Sequence, residues 1–384
     1  MKAATDRYAL VNGRVLTARG FEADVAVLVE GDTIVAVQQE SLPRDGFDII
    51  DLGGRTVVPG FIDTQVNGGG DVLFNDAPTV DGIRRIAEAH RRYGTTGLLP
   101  TLISDDVDVM RRAIAAVREA IAQGVPGVLG IHLEGPYLAP ARKGVHAAEK
   151  FHTPDAGELD LVASLDNGKT LLTIAPERFA PDMLRALVAR GVILSAGHTA
   201  ASYEQLRDAF AAGVTGVTHL FNAMLPLQSR EPGGVGAALD DPQSWCGLIV
   251  DGFHVHAAAA RIAIAAKPRG KVMLVTDAMP PVGGDRAEFQ LYGASMHCND
   301  GRCSTADGTL AGSALDMASA VRNTVALGVP LDEACRMAAT YPAEFLGLGH
   351  RHGRIAAGCR ADLVELDAAL AVHATWIAGT RRPT

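Results

Sequence analysis

A chain of 384 residues is long enough for one large domain and a smaller one, and its 48% hydrophobic residues are typical of a globular protein with a substantial core. The formal net charge is −9 and no block of lysine and arginine occurs, which argues against a nucleic-acid partner. No apolar run has the length of a membrane span and the N-terminus lacks the apolar segment of a signal peptide, so we expect a cytoplasmic protein without a membrane partner.

The cysteines are predicted to be reduced. An odd number of cysteines without a signal peptide is typical of a reducing compartment. Cys298 and Cys303 lack the second pair that a structural zinc site requires, so they are expected to be two free thiols on a hairpin. The five cysteines of the chain are Cys246, Cys298, Cys303, Cys335 and Cys359.

Both ends of the chain have the pattern of short strands joined by tight turns. The predicted N-terminal strands are Tyr8–Thr17, Ala23–Val29, Thr33–Val37, 48–52 and 55–58. The predicted C-terminal strands are 353–356, 361–366 and 374–377. Since each end is too short to fold alone, residues 1–57 and 353–384 are predicted to form one small β-sandwich domain.

Between residues 58 and 352, apolar strands alternate with amphipathic helices. The predicted strands are 97–102, 127–133, 171–175, 192–194, 214–218, 245–250 and 271–276. The predicted helices are 79–92, 105–123, 182–190, 202–212, 256–266, 313–327 and 331–340. Repeated strand–helix units indicate parallel strands. The length fits closure into a (β/α)8 TIM-type barrel, with an open doubly wound sheet as the alternative.

A carboxylate or an imidazole stands where each of four predicted strands ends. Glu134 follows the strand 127–133, His198 follows 192–194, His219 follows 214–218 and Asp277 follows 271–276. The C-terminal ends of barrel strands share one rim, where barrel enzymes build their sites. One carboxylate, two imidazoles and a further aspartate suit a divalent cation and a general base. These residues indicate a metal-dependent hydrolase.

Eight motifs in order resemble one enzyme family. Pro59-Gly60-Phe61-Ile62-Asp63, together with the four strand ends, resembles the amidohydrolase superfamily. Within it, the remaining motifs are similar to those of the N-acetylglucosamine-6-phosphate deacetylase family, and the resemblance covers nearly the whole chain. These motifs are Leu133-Glu134-Gly135-Pro136-Tyr137, Lys143-Gly144-Val145-His146, Gly197-His198-Thr199, Thr218-His219-Leu220-Phe221-Asn222-Ala223-Met224, Arg230-Glu231-Pro232-Gly233, Asp251-Gly252-Phe253-His254 and Leu310-Ala311-Gly312-Ser313. The resemblance implies hydrolysis of the acetamide of N-acetyl-D-glucosamine 6-phosphate to D-glucosamine 6-phosphate and acetate.

The resemblance also implies roles for the strand-end residues. Glu134, His198 and His219 would hold one divalent metal per chain, with Zn²⁺ the first candidate and Fe²⁺, Co²⁺ or Mn²⁺ as alternatives. Asp277 would act as general base and then as the acid that protonates the leaving amine. His254 resembles the family histidine that polarises the amide carbonyl.

One departure from the superfamily bears on the number of metals. Most amidohydrolases carry His-x-His after the first barrel strand, whereas this chain has Gln65 and Asn67 there. Neutral amides are poorer zinc ligands than imidazoles, so the resemblance implies a single metal. Gln65 and Asn67 are expected either to line the pocket or only to satisfy backbone groups of a turn.

The remaining implied roles concern the substrate. The substrate-binding residues implied by the resemblance are Val145, His146, Asn222, Ala223, Arg230, His254, Leu310, Ala311 and Gly312. Arg230 would reach the phosphate from a neighbouring subunit, which predicts a homodimer with shared sites.

Two further histidines have structural interpretations: His132 is expected on the opposite strand face from Glu134, as a core or second-shell histidine, and His256 at a helix start.

Two other functions remain as alternatives. A cyclic amidase or dihydroorotase-type enzyme on the same scaffold usually requires two metals bridged by a carboxylated lysine, but Glu134 stands where that bridge would be. A catalytically silent scaffold protein of the same fold is the second alternative. The joint presence of Glu134, His198, His219 and Asp277 argues against it.

Overall fold

The computed structural model describes residues 7–299 and 301–384, so residues 1–6 of the predicted β domain lie outside the described part. The chain forms two compact units. One contains the described part of Met1–Ile62 with Arg91–Gly97 and Met317–Thr384, and the other contains Asp63–His90 and the described part of Leu98–Asp316. The first unit thus holds both chain ends and also residues 317–352, which the sequence analysis assigned to the barrel. The predicted domain boundaries at 57/58 and 352/353 remain a prediction.

The N-terminal part consists of short strands, as predicted. They are β1 (Arg7–Val11), β2 (Arg14–Thr17), β3 (Gly20–Glu22), β4 (Val25–Glu30), β5 (Thr33–Gln39), β6 (Asp48–Asp51) and β7 (Thr56–Pro59). The predicted strand Tyr8–Thr17 is in fact two strands, because the chain turns at Asn12, whose φ of 54° is left-handed. Asparagine tolerates this conformation better than most residues, and the sequence signal was missed.

An eight-stranded parallel sheet forms the barrel. The strands of this region are β8 (Phe61–Val66), a short hairpin of β9 (Gly68–Gly69) and β10 (Val72–Leu73), β11 (Thr95–Ile103), β12 (Gly130–Glu134), β13 (Lys169–Ile174), β14 (Ile193–Ala196), β15 (Gly216–Val217), β16 (Trp245–Leu248) and β17 (Val272–Leu274). The sheet order is β17-β16-β15-β14-β13-β12-β11-β8. A parallel bridge between Val66 and Ala278 joins its two outer strands. The predicted (β/α)8 barrel is confirmed, and the open doubly wound sheet is excluded.

Helices follow the barrel strands along the chain. They are α1 (Val80–Arg91), α2 (Val107–Ala122), α3 (Ala156–Val162), α4 (Pro181–Ala189), α5 (Tyr203–Ala211), α6 (Gly233–Asp240) and α7 (Ala257–Ala266). Ser202 and Gln205 form a capping box at the start of α5, and His256 caps α7 as expected. The sequence missed α3, which is short, and α6, whose glycines lower its helix propensity. No helix of the described residues is long and apolar enough to cross a membrane.

The rest of the chain adds an antiparallel sheet, three helices and the C-terminal strands. The elements are β18 (Glu288–Leu291), β19 (Ala294–Asn299), β20 (Arg302–Ser304), β21 (Leu310–Ser313), α8 (Met317–Ala326), α9 (Leu331–Ala338), α10 (Thr340–Phe345), β22 (Leu363–Leu366), β23 (Val372–Ile377) and β24 (Thr380–Pro383). Of the sheet β18-β19-β20-β21, the sequence predicted only the hairpin that carries Cys298 and Cys303, and it did not predict β24. The predicted strand at 353–356 is irregular structure instead.

Cys298 and Cys303 form a disulfide, so the expectation of reduced thiols is wrong for this pair. The two residues lie directly opposite each other on β19 and β20, with their Cα atoms 4.0 Å apart. The sequence pair Asp300-Gly301 is a two-residue turn signal that gives this register, but the expectation of a reducing compartment argued against a bond. The other three cysteines are free and buried.

Both chain ends contribute to one β-sandwich in the first unit. One sheet has the order β5-β4-β1-β6, and the other has the order β24-β23-β22-β7-β2-β3. The ends join where β22 pairs antiparallel with β7, with Val364 opposite Val58. Leu10 from the N-terminal end and Trp376 from the C-terminal end are buried in the same apolar cluster. The predicted small β-sandwich is confirmed.

A buried carboxylate ties the first barrel strand to the last. Asp63 on β8 is fully buried, and its Oδ2 accepts a hydrogen bond from the Thr276 hydroxyl, just beyond β17. Its Oδ1 accepts from the backbone N–H groups of Thr276 at 3.3 Å and of Gln65 at 3.2 Å. Burial raises the pKa of Asp63 to about 7, although these hydrogen bonds offset part of the effect.

This carboxylate should make the chelator-treated protein less stable as the pH rises. The folded-state pKa of about 7 lies above the unfolded value of 3.8, so the native state holds the proton between these values. Asp63 therefore makes its full contribution to the free energy of unfolding below pH ~4. This contribution is lost as the pH rises through ~7. Asp63→Asn keeps a neutral group at every pH. Urea unfolding between pH 4 and 8 should show the variant gaining stability relative to the wild type, and a pH-independent difference would contradict the assignment.

Candidate metal centre and active site

The three predicted ligands meet at the C-terminal end of the barrel. Glu134 ends β12, His198 lies two residues beyond β14, and His219 lies two residues beyond β15. Their atoms Glu134 Oε1, His198 Nε2 and His219 Nε2 are 3.0 to 3.2 Å apart. Ligand atoms held tetrahedrally at ~2.0–2.1 Å from zinc are about 3.3 Å apart. The triangle therefore has the size that fits one cation, and we call these three residues the triad.

The protonation of the triad also fits a cation. His198 Nδ1 donates to the carbonyl oxygen of Arg142 at 2.8 Å, so the neutral ring presents the Nε2 lone pair to a cation, whereas an Nε2–H group donates to Glu134 when no cation is bound. His219 Nδ1 is buried and has no hydrogen-bond partner in the described structure. Burial alone would raise the pKa of Glu134, but the hydrogen bonds to His198 and His219 outweigh it and hold the pKa well below the usual range. An ionised carboxylate facing imidazole nitrogens is a donor set for a divalent cation.

The backbone is strained where these strands end. The φ angles are 46° at His198, 33° at His219 and 54° at Asp277, in a region that residues other than glycine rarely adopt. Each such conformation costs of order 1–3 kcal/mol and persists only where its surroundings impose it. At Asp277 the backbone N–H donates to Gln65 O at 3.0 Å, and its carbonyl accepts from Ser313 N at 2.9 Å. Strain of this kind clusters at functional sites.

Asp277 lies beside the triad and is held by the two amides that replace His-x-His. Asn67 Nδ2 donates to Asp277 Oδ1 at 2.6 Å, and Gln65 Nε2 donates to the same oxygen at 3.1 Å. Gln65 Nε2 also lies 3.2 Å from Glu134 Oε2 and so bridges two carboxylates. Burial and the charge of Glu134 raise the pKa of Asp277 to about 6 in the absence of a cation. The amides therefore do more than satisfy a turn.

One cavity contains the triad, Asp277 and most of the predicted substrate residues. The predicted residues that line it are Asn67, Glu134, Val145, His146, His198, His219, Asn222, Ala223, His254, Asp277, Leu310 and Gly312. Ile103, Gly144, Met279 and Thr309 also line it, and the sequence analysis did not single them out. Gly144 belongs to the motif Lys143-Gly144-Val145-His146, and Thr309 adjoins the motif that begins at Leu310, so both could have been found from these motifs. Ile103 and Met279 are apolar and give no chemical signal in the sequence.

Position 144 must be a glycine because its backbone lies close to a member of the triad. Its φ of 56° is left-handed, and a Cβ at this position would lie 3.1 Å from His198 Cε1. A larger residue would therefore press on a metal ligand.

Three predicted site residues lie away from the cavity wall. Gln65 is buried behind Asn67 and reaches the site through its contacts with Asp277 and Glu134. Ala311 is fully buried in an apolar cluster with Met279. Arg230 is exposed on the loop between β15 and α6. Its predicted role in a neighbouring subunit remains a prediction, as does the substrate contact of Ala311.

His146 and His254 each have one ring nitrogen engaged by the protein. His146 Nδ1 lies 2.8 Å from Ser104 Oγ and accepts from Ser104 N at 3.4 Å, so its proton is on Nε2. Burial, followed by the charge of His198, lowers the pKa of His146 to about 3 and keeps it neutral. His254 Nδ1 lies 2.6 Å from Asp251 Oδ2. Asp251 belongs to the motif Asp251-Gly252-Phe253-His254, and its spacing of three residues from His254 could have indicated the pair.

His132 faces the barrel interior on the same side of β12 as Glu134. Its Nδ1 lies 3.2 Å from Thr101 Oγ1 and its Nε2 lies 2.7 Å from Thr173 Oγ1. The prediction of the opposite face was wrong, because residues two apart on a strand point to the same side.

Comparison with known proteins agrees with this geometry. The amidohydrolase family model matches residues 56–382. An N-acetylgalactosamine-6-phosphate deacetylase of Shewanella sp. (strain ANA-3) is 46% identical over 329 residues, which cover 85% of this chain and 83% of the relative. An N-acetylglucosamine-6-phosphate deacetylase of Haemophilus influenzae is 36% identical over 366 residues, which cover 93% of this chain and 94% of the relative.

Solved structures show the same similarity. The crystal structure of N-acetylglucosamine-6-phosphate deacetylase from Pasteurella multocida has a TM-score of 0.95 at 35% identity, covering 98% of this chain and 100% of that chain. An aspartate-to-alanine mutant of the Mycobacterium smegmatis deacetylase, in complex with N-acetyl-D-glucosamine-6-phosphate, has a TM-score of 0.91 at 36% identity, covering 98% and 100%. The fold, the triad and these similarities over most of the sequence agree, and the chain belongs to the amidohydrolase family.

Proposed function

We propose that this protein hydrolyses the acetamide of N-acetyl-D-glucosamine 6-phosphate to D-glucosamine 6-phosphate and acetate, in amino-sugar catabolism and recycling. The observation that carries the proposal is the triad of Glu134, His198 and His219, sized for one cation, with Asp277 beside it in a cavity of an amidohydrolase barrel. The names of the relatives support the choice of bond and of a phosphorylated amino sugar as substrate.

One divalent cation would be held by the triad. Zn²⁺ suits two imidazoles and a carboxylate, and Fe²⁺, Co²⁺ or Mn²⁺ can use the same ligands. When bound, such a cation would lower the pKa of a water ligand to roughly 7 and would polarise the amide carbonyl.

Asp277 carries the proton transfers. Its Oδ1 is held by Gln65 and Asn67, which leaves Oδ2 to take a proton from the attacking water and to pass it to the amine nitrogen. The return of the proton is as necessary as its removal, because an amine is a poor leaving group until it is protonated. A nearby cation favours the ionised form of Asp277 before attack.

His254 donates a hydrogen bond to the carbonyl oxygen as negative charge develops there. Its Nδ1 proton is engaged by Asp251 at 2.6 Å, so Nε2 can donate only when the ring carries both protons. Burial would raise the pKa of Asp251, but the hydrogen bond and charge of His254 outweigh it and lower the pKa. The ionised Asp251 therefore accepts the Nδ1 hydrogen bond and fixes the orientation of the His254 ring.

The substrate would lie across the cavity with its phosphate away from the triad. The proposed sugar contacts are His146, with Val145 beside it, and the loop of Leu310, Ala311 and Gly312. Asn222 and Ala223 would hold the phosphate, and Arg230 would reach it from the neighbouring subunit of a homodimer. A cytoplasmic location completes the proposal.

The alternatives are less well supported. A two-metal cyclic amidase of this superfamily has imidazoles at residues 65 and 67. Here the amide nitrogens of Gln65 and Asn67 donate to Asp277, and only neutral amide oxygens, which are poorer zinc ligands, remain for a second cation. A silent scaffold protein would not need Asp277 and the triad to meet in a cavity.

Acetate release from N-acetyl-D-glucosamine 6-phosphate tests the proposed reaction. We expect kcat/KM to fall on the order of 10⁴-fold for the unphosphorylated sugar, because a site built for a polar group leaves its own groups unpaired when that group is missing. Dihydroorotate should not react. Equal rates on the unphosphorylated sugar would remove the phosphate assignment, and faster turnover of N-acetyl-D-galactosamine 6-phosphate would make the 4-epimer the substrate.

Asp277→Asn should separate proton transfer from metal binding. The variant should retain the wild-type metal content and unfolding transition but lose ~10²–10⁴-fold in kcat, since an amide cannot accept the proton. Asp182→Asn, on the exposed start of α4, is the matched control and should retain wild-type kcat. An Asp277→Asn enzyme with wild-type turnover would exclude the proposed role.

Mixed dimers test the shared site. Chains with Arg230→Ala and chains with Asp277→Asn should each be nearly inactive as homodimers. A heterodimer isolated through two tags should regain about half the wild-type activity, because the chain that keeps Asp277 receives Arg230 from the other chain. Light scattering gives the oligomeric state. A dimer that regains no activity, or an active monomer, would contradict the shared site.

A further inference from the structure

A continuous chain of buried polar side chains crosses the barrel next to the triad. It runs from Ser195 on β14 to Thr218 just after β15, then to Thr173 on β13, His132 on β12 and Thr101 on β11. Ser195 Oγ to Thr218 Oγ1, Thr218 Oγ1 to Thr173 Oγ1, and Thr173 Oγ1 to His132 Nε2 are each 2.7 Å, and His132 Nδ1 to Thr101 Oγ1 is 3.2 Å. We call these five side chains the polar chain.

A polar layer at this place needs an explanation. Barrel interiors are usually filled by bulky branched apolar residues. Every member of the polar chain is buried, with Thr218 the most exposed at 6%. A buried hydroxyl or imidazole without a partner costs about 1–3 kcal/mol, so such a layer persists only when its hydrogen bonds are complete.

The hydrogen bonds are complete in one direction only. Ser195 can donate to Thr218, Thr218 to Thr173 and Thr173 to His132 Nε2. His132 Nδ1–H then donates to Thr101, whose hydroxyl donates to the carbonyl oxygen of Leu99 at 3.2 Å. Thr101 Oγ1 also accepts from Val66 N at 2.8 Å, which uses its second lone pair. In the reverse direction the Ser195 proton has no acceptor among the described hydrogen bonds. The hydrogen bonds of the polar chain therefore all run in one direction, from Ser195 to Thr101.

The polar chain joins the strands that carry the metal ligands. His132 lies two residues before Glu134, Thr218 directly precedes His219, and Ser195 lies three residues before His198. Thr173 is the central link, because its hydroxyl connects His132 on one side with Thr218 on the other. The methyl group of Thr173 also packs at Gly197, where a Cβ would lie 2.7 Å from Thr173 Cγ2.

We propose that the polar chain, through the Thr173 hydroxyl at its centre, fixes the spacing of Glu134, His198 and His219 and so sets the affinity of the triad for its cation. Thr173 is a positioning residue, since its hydroxyl hydrogen-bonds to His132 and Thr218 rather than to a side chain of the triad. Outer partners that orient metal ligands typically contribute 10–100-fold to metal affinity. The inference rests on the proposed metal site and adds to it a residue outside the triad.

Zn²⁺ titration of the chelator-treated full chain, in competition with a chromophoric chelator, measures this effect directly. Thr173→Val removes the hydroxyl and keeps the methyl group at Gly197, and it should raise the Kd for Zn²⁺ about 10–100-fold. Thr173→Ser keeps the hydroxyl and should bind within about threefold of the wild type. Thr170→Val, also buried on β13 but on the opposite strand face, is the matched control and should bind like the wild type.

The outcomes separate this inference from the proposed function. Wild-type affinity in Thr173→Val, or equal losses in Thr173→Val and Thr170→Val, would overturn the role of the polar chain. A wild-type protein that binds no Zn²⁺, or binds it equally well after Glu134→Gln, would overturn the metal site itself. If Thr173→Val lacks a cooperative urea transition, Ser195→Ala decides: about a tenfold weaker Zn²⁺ affinity supports the inference, and an unchanged affinity overturns it.

Discussion

The site depends on a buried carboxylate that stays ionised. Glu134 is 2% exposed and lies against two imidazoles in the mouth of the barrel. Burying a charge is unfavourable unless it is paired and hydrogen-bonded, and removing one partner leaves an uncompensated charge. The imidazoles come from strands other than that of Glu134, so the charge is balanced only when the parallel sheet has formed in its native order. Folding of the barrel and assembly of the donor set are therefore one event.

Closure of the barrel brings Asp277 next to the triad. Asn67 and Gly68 donate their backbone N–H groups to the carbonyl oxygen of Ala278, each at 2.9 Å, and Asp63 bonds to Thr276. These contacts fix the start of the barrel against its last strand, and Asp277 lies between the two bonded residues of that strand end. The side chain of Asn67 then reaches Asp277 from the opposite side of the closure. At this place two neutral amides supply the hydrogen-bond donors to Asp277.

The sequence predicted the titratable side chains of the site that lie at the ends of barrel strands. The apolar runs before Glu134, His198, His219 and Asp277 marked the parallel strands, and closure of a barrel then placed their ends together. The periodicity of the helix at 105–123 was equally clear. The disulfide of Cys298 and Cys303 was missed because the expectation of a reducing compartment outweighed the turn signal Asp300-Gly301, which places Cys298 opposite Cys303.

Other parts of the site depend on contacts between residues distant in sequence. The link from Gln65 to both Asp277 and Glu134 spans 212 and 69 residues, and no local pattern indicates it. Ala311 belongs to a motif shared with a family, but its burial in an apolar cluster follows from the packing of β21. The face of His132 was within reach of the sequence, because strand periodicity alone places it on the side of Glu134.

The strained backbone and the polar layer have the same consequence for the metal site. The left-handed residues His198 and His219 are held by their surroundings: Ala139 N donates to His198 O at 2.9 Å, and Leu220 N donates to Gly247 O at 2.8 Å beside His219. Below them, hydroxyl groups of the polar chain hold the strands from which both residues emerge. Ligands fixed from both sides cannot move apart to relieve the close approach of their nitrogen and oxygen atoms. The protein thus fixes the separation of about 3 Å between the triad atoms, which is the separation that a cation requires.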